Sequence, residues 1–235
     1  MRIALISTPF LAVPPNGYGG TELVVHELAE GLVRRGHAVT VFATGDSQTS
    51  ARLRFLFPRA QWPPALLPDL DHVSWALREV AVGDFDVVHA HSAVALALGR
   101  LLPRQPIVYT LHHERDESLS AFYRHFPEVH YIAISEDQRR REIPLPRVVV
   151  IHHGLDPTKY QWRRRPGDYV AFVGRFARVK GPHTAIDVAQ AAGVPIRIAG
   201  DVHVVDRAFG DREVLPRLDL PHVQHLGVID LAVKA

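Results

Sequence analysis

Cysteine is absent from this 235-residue chain, and charge of neither sign dominates it. Disulfide bonds and cysteine-ligated metal sites are therefore excluded. The formal net charge is only +2, from 27 basic and 25 acidic residues. The chain also lacks any run approaching the ~18 apolar residues of a membrane-spanning helix, and it starts without the apolar core and cleavage site of a signal peptide. These absences predict a cytoplasmic protein with no integral membrane segment.

Short and long apolar segments alternate along the first 150 residues. The short runs, rich in valine, isoleucine and leucine, predict strands at residues 2–7, 38–43, 86–90, 107–111, 129–134 and 147–151. The longer, helix-periodic segments predict helices at residues 22–34, about 71–82, 93–101, about 119–126 and from 136. The stretch between 43 and 71 is rich in proline and polar residues and is interpreted as a loop. Repeated β-α units of this kind are typical of α/β proteins, so we predict a doubly wound parallel sheet in a Rossmann-like domain.

The alternation breaks at residues 156–168, where prolines, charges and a glycine predict an interdomain linker. A second series follows, with strands at 169–173, 195–199 and 223–226 and helices at 183–192 and near 212–218. We therefore predict an N-terminal Rossmann-like domain over residues 1–160 and a second one over 161–235. The second series makes only part of a doubly wound domain. It would pack against the first domain, self-associate or be completed by another chain, unless the chain is a fragment.

The most informative loop reads Gly-Arg-Phe-Ala-Arg-Val-Lys-Gly at residues 174–181, between a predicted strand and a predicted helix. Free backbone N–H groups and the positive end of the helix dipole point outward at such a helix start, which favours an anion. Arg175 can fork onto two phosphate oxygens, and Lys180 adds a mobile positive charge. The loop therefore predicts the binding of a phosphate, specifically a diphosphate.

A pair of glycines precedes the first predicted helix. About a dozen residues separate the first strand from Gly19 and Gly20, and Thr21 is expected as the helix N-cap. A dinucleotide-binding turn would put its glycines directly after the strand, so a nicotinamide- or flavin-dependent oxidoreductase is disfavoured. Bare backbone at a helix start lets a ligand come close, but the same pattern suits a flexible loop, and the sequence alone leaves both interpretations open.

The chain has 15 histidines, several of them in pairs. A metal site is disfavoured because neighbours in a strand point to opposite faces, so His112 and His113 cannot easily share an ion, and because no carboxylate-rich partner motif occurs. Position is more informative than pairing. His91, His112 and His152 each follow a predicted strand, at the carboxyl ends where ligands bind in this architecture. We predict that His112 hydrogen-bonds a hydroxylated ligand, with a structural role at a strand end as the alternative, and regard His91 and His152 as weaker candidates.

Taken in order, these segments resemble glycosyltransferase family 4. The resemblance rests on Tyr-Gly-Gly-Thr-Glu at 18–22, Asp-Val-Val-His-Ala-His-Ser at 86–92, Tyr-Thr-Leu-His at 109–112, Ile-His-His-Gly-Leu-Asp at 151–156, and Gly-Arg with Lys-Gly at 174–175 and 180–181. It implies the GT-B fold, in which two Rossmann-like domains face each other across a cleft. It also implies metal-independent transfer of a sugar from a nucleotide diphosphate sugar to an acceptor, with retention of configuration. No cofactor is implied beyond that donor.

The same resemblance assigns roles to single residues. Arg175 and Lys180 would be catalytic, holding the donor diphosphate and stabilising its charge as it leaves, and His112 would hydrogen-bond the transferred sugar. The acceptor is expected to be a saccharide, a lipid-linked molecule or a small molecule, and a lipid acceptor would bring the protein to a membrane surface. The rest of the predicted substrate-binding set consists of glycines: Gly19, Gly20, Gly174 and Gly181.

One motif of the family is missing. Its C-terminal domain carries two glutamates about two helical turns apart, which handle the donor sugar and the ribose, whereas Glu213 is the only glutamate after Gly181 here. The cationic loop favours an active retaining glycosyltransferase, alone or completed by another chain. The missing motif favours a non-catalytic nucleotide- or carbohydrate-binding remnant of the same family. Nucleic-acid binding would rest only on arginines at 139–141 and 163–165, and short clusters of this kind are typical of solvated helix ends and linkers.

Overall fold

The computed structural model of the chain describes residues 1–102, 104–160, 167–203 and 206–229. The arginines at 163–165 and the middle of the predicted linker lie outside these described residues. The chain divides into two compact units. Unit 1 comprises Met1–Pro15 and Gly19–Leu155, and unit 2 comprises Asn16–Tyr18 and Asp156–Ala235.

Unit 1 is built on a parallel sheet of seven strands in the order β3-β2-β1-β4-β5-β6-β7. The strands are β1 (Arg2–Ile6), β2 (Ala38–Ala43), β3 (Arg52–Phe55), β4 (Val87–Ala90), β5 (Ile107–Thr110), β6 (His130–Ala133) and β7 (Val148–Val150). Six of these lie within the ranges predicted from the apolar runs. The order runs outward from β1 in both directions, which is the arrangement of a doubly wound fold.

Helices cover both faces of this sheet. They are α1 (Gly20–Arg34), α2 (Leu66–Val82), α3 (Val94–Gly99), α4 (Glu117–Tyr123) and α5 (Glu136–Arg141). Successive residues of β1 point to opposite faces, so Ile3 and Leu5 pack with α1 whereas Ala4 and Ile6 join the cluster formed by α2 and α3. The predicted α/β class and the doubly wound parallel sheet are therefore confirmed for unit 1.

Strand β3 corrects one prediction, because the stretch between 43 and 71 was expected to be a loop. Arg52–Phe55 instead extends the sheet at its edge, with Arg52 opposite Thr40 of β2. Its residues alternate between arginine and an apolar side chain, and none of them is fully buried. An edge strand with charged side chains lacks the continuous apolar run that identifies a central strand, so the surrounding prolines dominated the pattern.

Unit 2 contains a parallel sheet of three strands in the order β10-β9-β8 among its described residues. The strands are β8 (Val170–Val173), β9 (Ile196–Ala199) and β10 (Val223–His225), and α6 (Pro182–Ala192) covers the sheet with a core that includes Ile186 and Ile198. The last helical region starts earlier than predicted. It consists of α7 (Arg207–Phe209), a π-helical turn (Gly210–Val214) and α8 (Leu215–Leu218). No helix in the described part of either unit is long and apolar enough to cross a membrane.

Candidate functional site

The carboxyl edge of the unit 1 sheet has its switch point between β1 and β4, whose neighbours β2 and β5 lie on opposite sides. Ser7 follows β1 and His91 follows β4, and the His91 N–H donates to the carbonyl of Ile6 over 2.9 Å. Both side chains are buried. In open α/β sheets, ligands bind outside the carboxyl ends of the strands at such a point. Polar residues that follow β1 and β4 therefore lie where this architecture binds ligands.

Four imidazoles form a histidine cluster at this edge: His89, His91, His112 and His153. The His89 and His91 rings stack with centroids 4.5 Å apart, and the His112 and His153 rings stack with centroids 5.7 Å apart. His91 and His112 join the two pairs, because Nδ1 of His91 lies 2.7 Å from Nε2 of His112. Nε2 of His89 is fixed by the hydroxyl of Thr110, 2.8 Å away. The cluster consists of two stacked pairs of rings, joined between His91 and His112, at the ends of β4, β5 and β7.

The histidine cluster is held neutral at physiological pH. Burial is the main cause, and it lowers the pKa of His112 to about 3 and that of His89 to about 4. Burial likewise lowers the pKa of His91 well below its usual range, and the neighbouring imidazoles lower it further. The pKa of His153 is lowered by its partial burial. Neutral imidazoles are suited to hydrogen-bonding hydroxyl groups rather than to attracting anions.

The contact between His91 and His112 determines which nitrogen His112 offers to a ligand. Nε2 of His91 is buried and has no hydrogen-bond partner among the described residues. Since a buried N–H without a partner is rarer than an unpaired acceptor, we assign the proton of His91 to Nδ1, which then donates to Nε2 of His112. His112 consequently carries its own proton on Nδ1. It is left as a neutral N–H donor, which is the form that can bind a sugar hydroxyl.

The adjacent histidines His152 and His153 make different contacts. His152 lies apart from the cluster, because its Nδ1 donates to the carbonyl of Ile134 over 3.0 Å. This is the structural role at a strand end that was the alternative prediction for these histidines. His153, which was not among the predicted ligand-binding residues, stacks on His112 instead. The strand pattern places both residues at the same edge, but it does not show which ring turns toward the cluster.

Helix α2 adds an acidic side chain beside the same edge. Oδ2 of Asp69 accepts a hydrogen bond of 2.8 Å from the hydroxyl of Ser92, two residues after the end of β4. Its Oδ1 is buried without a partner among the described residues, and burial raises the pKa of Asp69. No motif marked this residue in the sequence, since it comes close to Ser92 only when α2 packs on the sheet.

The predicted glycine pair lies at the start of α1. Gly19 is the N-cap residue with φ 154, and a Cβ placed on it would approach the Cβ of Pro15 to 2.6 Å. Only glycine fits this position. Gly20 is the first residue of the helix, and a Cβ there would meet no atom within 4 Å. The expectation that Thr21 caps the helix is wrong: the chain turns into the helix two residues earlier, because Gly19 adopts a backbone conformation that other residues rarely reach.

Glu22 connects the start of α1 to the end of β1. Its carboxylate accepts a hydrogen bond of 2.6 Å from the hydroxyl of Thr8, and its side chain is buried. Burial raises the pKa of Glu22, with the Thr8 hydroxyl opposing the shift. This contact closes the long loop between β1 and α1 and fixes the backbone that carries Gly19 and Gly20.

In unit 2, the predicted cationic loop follows β8. The N–H of Gly174 still pairs with the carbonyl of Ala199 over 2.9 Å, and Arg175 comes directly after it. A Cβ on Gly200, at the end of β9, would collide with the carbonyl oxygen of Gly174, so two backbones pass closely here. Glycine at these strand ends leaves the backbone accessible at the edge of the sheet.

The loop ends at the start of α6. A 3-10 turn (Arg178–Lys180) leads into Gly181, which adopts φ 70 and is the N-cap of the helix. The first intrahelical bond is donated by Ala185 to the carbonyl of Gly181 over 3.0 Å, so the N–H groups of His183 and Thr184 have no acceptor within the helix. Such a helix start attracts anions. Lys180 is exposed at the turn that precedes it.

Arg175 faces an acidic neighbour that the sequence did not indicate. Its Nε lies 3.8 Å from Oδ2 of Asp206, a distance of an ion pair but beyond a hydrogen bond. Both atoms are buried without a hydrogen-bond partner among the described residues. Arg175 is thus a partly buried cation whose hydrogen-bonding capacity is incompletely used. Over the described residues of both units, no group of three or more histidine or acidic side chains is arranged to hold a metal ion.

Comparison with protein families matches residues 18–159 to Glycosyltransferase Family 4. The chain is 24% identical to O-antigen chain mannosyltransferase C of Escherichia coli, over 79% of this chain and 58% of that protein. It is 27% identical to the phosphatidyl-myo-inositol mannosyltransferase of Mycobacterium tuberculosis, over 100% of this chain and 68% of that protein. The chain thus spans about three fifths to two thirds of the length of these relatives.

Solved structures show the same fold. The chain aligns with AviGT4, a glycosyltransferase involved in avilamycin A biosynthesis, with a TM-score of 0.69 and 24% identity, over 98% of this chain and 65% of that one. It aligns with the catalytic domain of starch synthase IV from Arabidopsis thaliana, bound to ADP and acarbose, with a TM-score of 0.64 and 14% identity, over 100% of this chain and 75% of that one. The GT-B-like fold class predicted from the sequence is confirmed.

Proposed function

This chain belongs to glycosyltransferase family 4, and from that premise we propose that it transfers a sugar from a nucleotide diphosphate sugar to an acceptor, with retention of configuration. The observation that carries the proposal is the loop at residues 174–181. It places Arg175 at the end of β8 and Lys180 in the turn before α6, with the free N–H groups of the helix start beside them. Two cations and a helix N-terminus within eight residues suit a diphosphate better than a neutral ligand.

In the proposed reaction, the bond between the sugar and the diphosphate breaks and leaves additional negative charge on the departing phosphate. Arg175 and Lys180 offset that charge from fixed positions, so no bound metal ion is required for leaving-group departure. The weak pairing of Arg175 with Asp206 favours this role. A phosphate oxygen can supply the hydrogen bond that Nε of Arg175 does not make with Asp206.

The transferred sugar is neutral, and we assign it to the edge of unit 1. His112 donates from Nδ1 to a sugar hydroxyl, and His91 holds it in the required tautomer. Gly20 leaves open space at the start of α1, so its backbone N–H can come close to the reacting centre. A protonated imidazole would lose its hydration at this edge without gaining an anionic partner, so burial keeps the imidazoles neutral.

The names of the relatives suggest the first substrates to test. Two of them are mannosyltransferases, which makes nucleotide diphosphate mannose the first donor, followed by the glucose and galactose donors. One of them acts on phosphatidyl-myo-inositol by its name, so a lipid-linked acceptor at a membrane surface belongs in the first panel beside soluble saccharides.

The test compares donor turnover of the parent chain with that of Lys180→Ala and a charge-matched control, Arg212→Ala. Lys180 is exposed, so its removal should keep the fold, while turnover should fall roughly 100-fold or more because a charge-stabilising group is lost. Arg212 is an exposed cation of the same unit, in the π-helical turn, and its replacement should leave turnover within a factor of about two. Assays with excess EDTA test metal independence, and proton NMR of the product reports the anomeric configuration.

Two results would contradict the proposal at different levels. Parental turnover in Lys180→Ala would remove the assigned role of the lysine while leaving the activity in place. Absence of transfer or donor hydrolysis with every donor in the panel would remove the activity itself, and nucleotide binding measured by calorimetry would then favour the binding remnant.

A further inference from the structure

Unit 1 has a pocket at the amino ends of its strands, at the edge of the sheet opposite the histidine cluster. The pocket has a volume of about 400 Å³ and lies at the start of β5, β6 and β7, with the end of α3 as a further wall. Ligands of open α/β sheets bind at the carboxyl ends of the strands, so the proposed transfer reaction does not use this pocket. We call it the amino-edge pocket and define it by its polar lining residues: Arg100, Arg104, Gln105, Glu128, His130 and Arg147.

The charged side chains of the amino-edge pocket are mostly basic. Three arginines and one glutamate line it, which leaves a formal charge of +2. Nε of Arg100 lies 3.2 Å from Oε1 of Glu128, and this ion pair uses the carboxylate of the pocket. Arg104 and Arg147 are exposed and make no ion pair with any residue that the structure describes. The pocket therefore has two cations that no carboxylate of the described chain compensates.

Two of these arginines are held in place by contacts that leave part of each guanidinium free. Cζ of Arg100 lies 4.4 Å from the centroid of the Phe126 ring. Nη1 of Arg147 donates to the carbonyl of Glu128 over 3.2 Å and lies 3.4 Å from Nε2 of His130. Both Nη groups of Arg100 and Nη2 of Arg147 have no hydrogen-bond partner among the described residues. Free N–H groups on fixed arginines suit an anion with several oxygens, such as a phosphate.

Gln105 adds an uncharged polar group to the same pocket. Its Oε1 is buried and has no hydrogen-bond partner within the described part of the chain. The terminal torsion of a glutamine is broad, so the amide can turn toward a ligand and accept a hydrogen bond from a hydroxyl group. A buried acceptor without a partner is unfavourable, which makes that contact stabilising. The amino-edge pocket thus offers groups for a phosphate and for a hydroxyl.

Size and composition restrict the ligand further. A volume of about 400 Å³ is near the lower end of the range of ligand pockets, about 300–1,000 Å³. No phenylalanine, tyrosine or tryptophan is among the described lining residues, so a nucleobase would find no such ring to stack on. We propose that the amino-edge pocket binds a sugar phosphate, with the phosphate between Arg100, Arg104 and Arg147 and a sugar hydroxyl on Gln105. This site is separate from the donor site, and the inference does not depend on the proposed function.

The first experiment measures binding by isothermal titration calorimetry on the full chain. The probes are glucose 6-phosphate and mannose 6-phosphate, with glucose and inorganic phosphate as comparison ligands. At least one sugar phosphate should bind roughly tenfold or more tighter than inorganic phosphate, because the hydroxyl contact adds to the phosphate contacts. Arg104→Ala should weaken that binding roughly tenfold or more and keep the fold, since Arg104 is exposed. The matched control is Arg59→Ala, an exposed cation in the loop after β3, which should bind like the parent.

The cationic loop of unit 2 also attracts phosphate, so the titrations are repeated in the Lys180→Ala background. Binding that depends on Arg104 should persist there. The proposal is overturned if the parent binds neither sugar phosphate, or if inorganic phosphate binds as tightly as the sugar phosphates. It is also overturned if Arg104→Ala binds like the parent with an unchanged circular dichroism spectrum, or if Lys180→Ala abolishes the binding, because the ligand then occupies the loop of unit 2.

A second measurement separates this proposal from the proposed function. Donor turnover is assayed without any sugar phosphate for the parent and for Arg104→Ala. The two should agree within a factor of about two, because the amino-edge pocket lies at the opposite edge of the sheet from the histidine cluster. Binding of a sugar phosphate that depends on Arg104, without donor turnover, would contradict the glycosyltransferase function and support the pocket. Donor turnover without binding of either sugar phosphate would support the function and overturn the pocket.

Discussion

Acidification should destabilise unit 1 strongly, because several of its histidines remain neutral in the folded chain. Burial lowers the pKa of His72 and His89 to about 4 and that of His112 to about 3. In the unfolded chain each histidine takes up a proton near pH 6.5, at an ordinary pKa of about 6.5. Below that pH the unfolded state binds protons that the folded state does not. The free energy of unfolding therefore falls as the pH falls, and the loss is complete only below the folded pKa values.

The size of the effect follows from the distance between the two pKa values. At pH 5, about 1.5 units below the unfolded pKa, each of these histidines removes about 2 kcal/mol of stability at 1.36 kcal/mol per unit. For three independent groups the loss is about 6 kcal/mol, which is comparable with the whole stability of a typical domain, about 5–15 kcal/mol. These histidines alone should therefore make unit 1 much less stable at pH 5 than above pH 7, and the raised pKa values of Glu22 and Asp69 offset part of that loss.

Hydrogen-exchange mass spectrometry can measure this for unit 1 alone. Peptides covering β4 and β5 report its opening, and their protection, corrected for intrinsic exchange, gives the free energy at each pH from 8 to 5. His72→Leu removes one of the three groups, so the loss between pH 8 and pH 5 should shrink by about 2 kcal/mol. His125→Gln changes an exposed histidine of the same unit and should reproduce the parental curve. Identical pH dependence in the parent and His72→Leu would refute the reasoning.

Two further predictions concern the sugar side of the proposed site. Gly19→Ala should destabilise unit 1 by about 1–3 kcal/mol in urea unfolding, since φ 154 and the approach to Pro15 exclude a Cβ. Gly20→Ala should keep the stability of unit 1 and lower donor turnover, because its Cβ fills open space at the helix start. Equal stability loss in both variants would contradict this. His91→Phe should release the tautomer of His112, visible as a change in its 15N imidazole shifts together with lower turnover; unchanged shifts would refute the assignment of the proton.

The sequence was sufficient to predict the sheet, because each central strand of a doubly wound fold is a short run of apolar residues. Strand β1 (Arg2–Ile6) and strand β4 (Val87–Ala90) are found at the predicted positions for this reason. The edge strand Arg52–Phe55 was missed, since its backbone pairs on one side only and its side chains alternate with arginines. Its assignment depends on pairing with β2, which is a tertiary interaction.

The site was predictable only where local sequence determines it. Residues 174–181 carry glycines and cations at a junction of strand and helix, and that junction can be recognised from the chain alone. The contacts between elements could not be recognised in the same way. His91 and His112 meet because β4 and β5 are adjacent, and Asp206 approaches Arg175 from 31 residues along the chain. The N-cap at Gly19 depends on a backbone torsion that composition does not encode.

The two units offer different chemistry to a ligand. The edge of unit 1 offers imidazoles kept neutral by burial, and a charged ligand would find no compensating charge in the histidine cluster. The loop of unit 2 offers Arg175, Lys180 and free N–H groups, and a neutral ligand would leave these groups without an anion. The proposed donor has a neutral sugar, whose chemistry suits the groups of unit 1, and a strongly anionic diphosphate, whose chemistry suits the groups of unit 2.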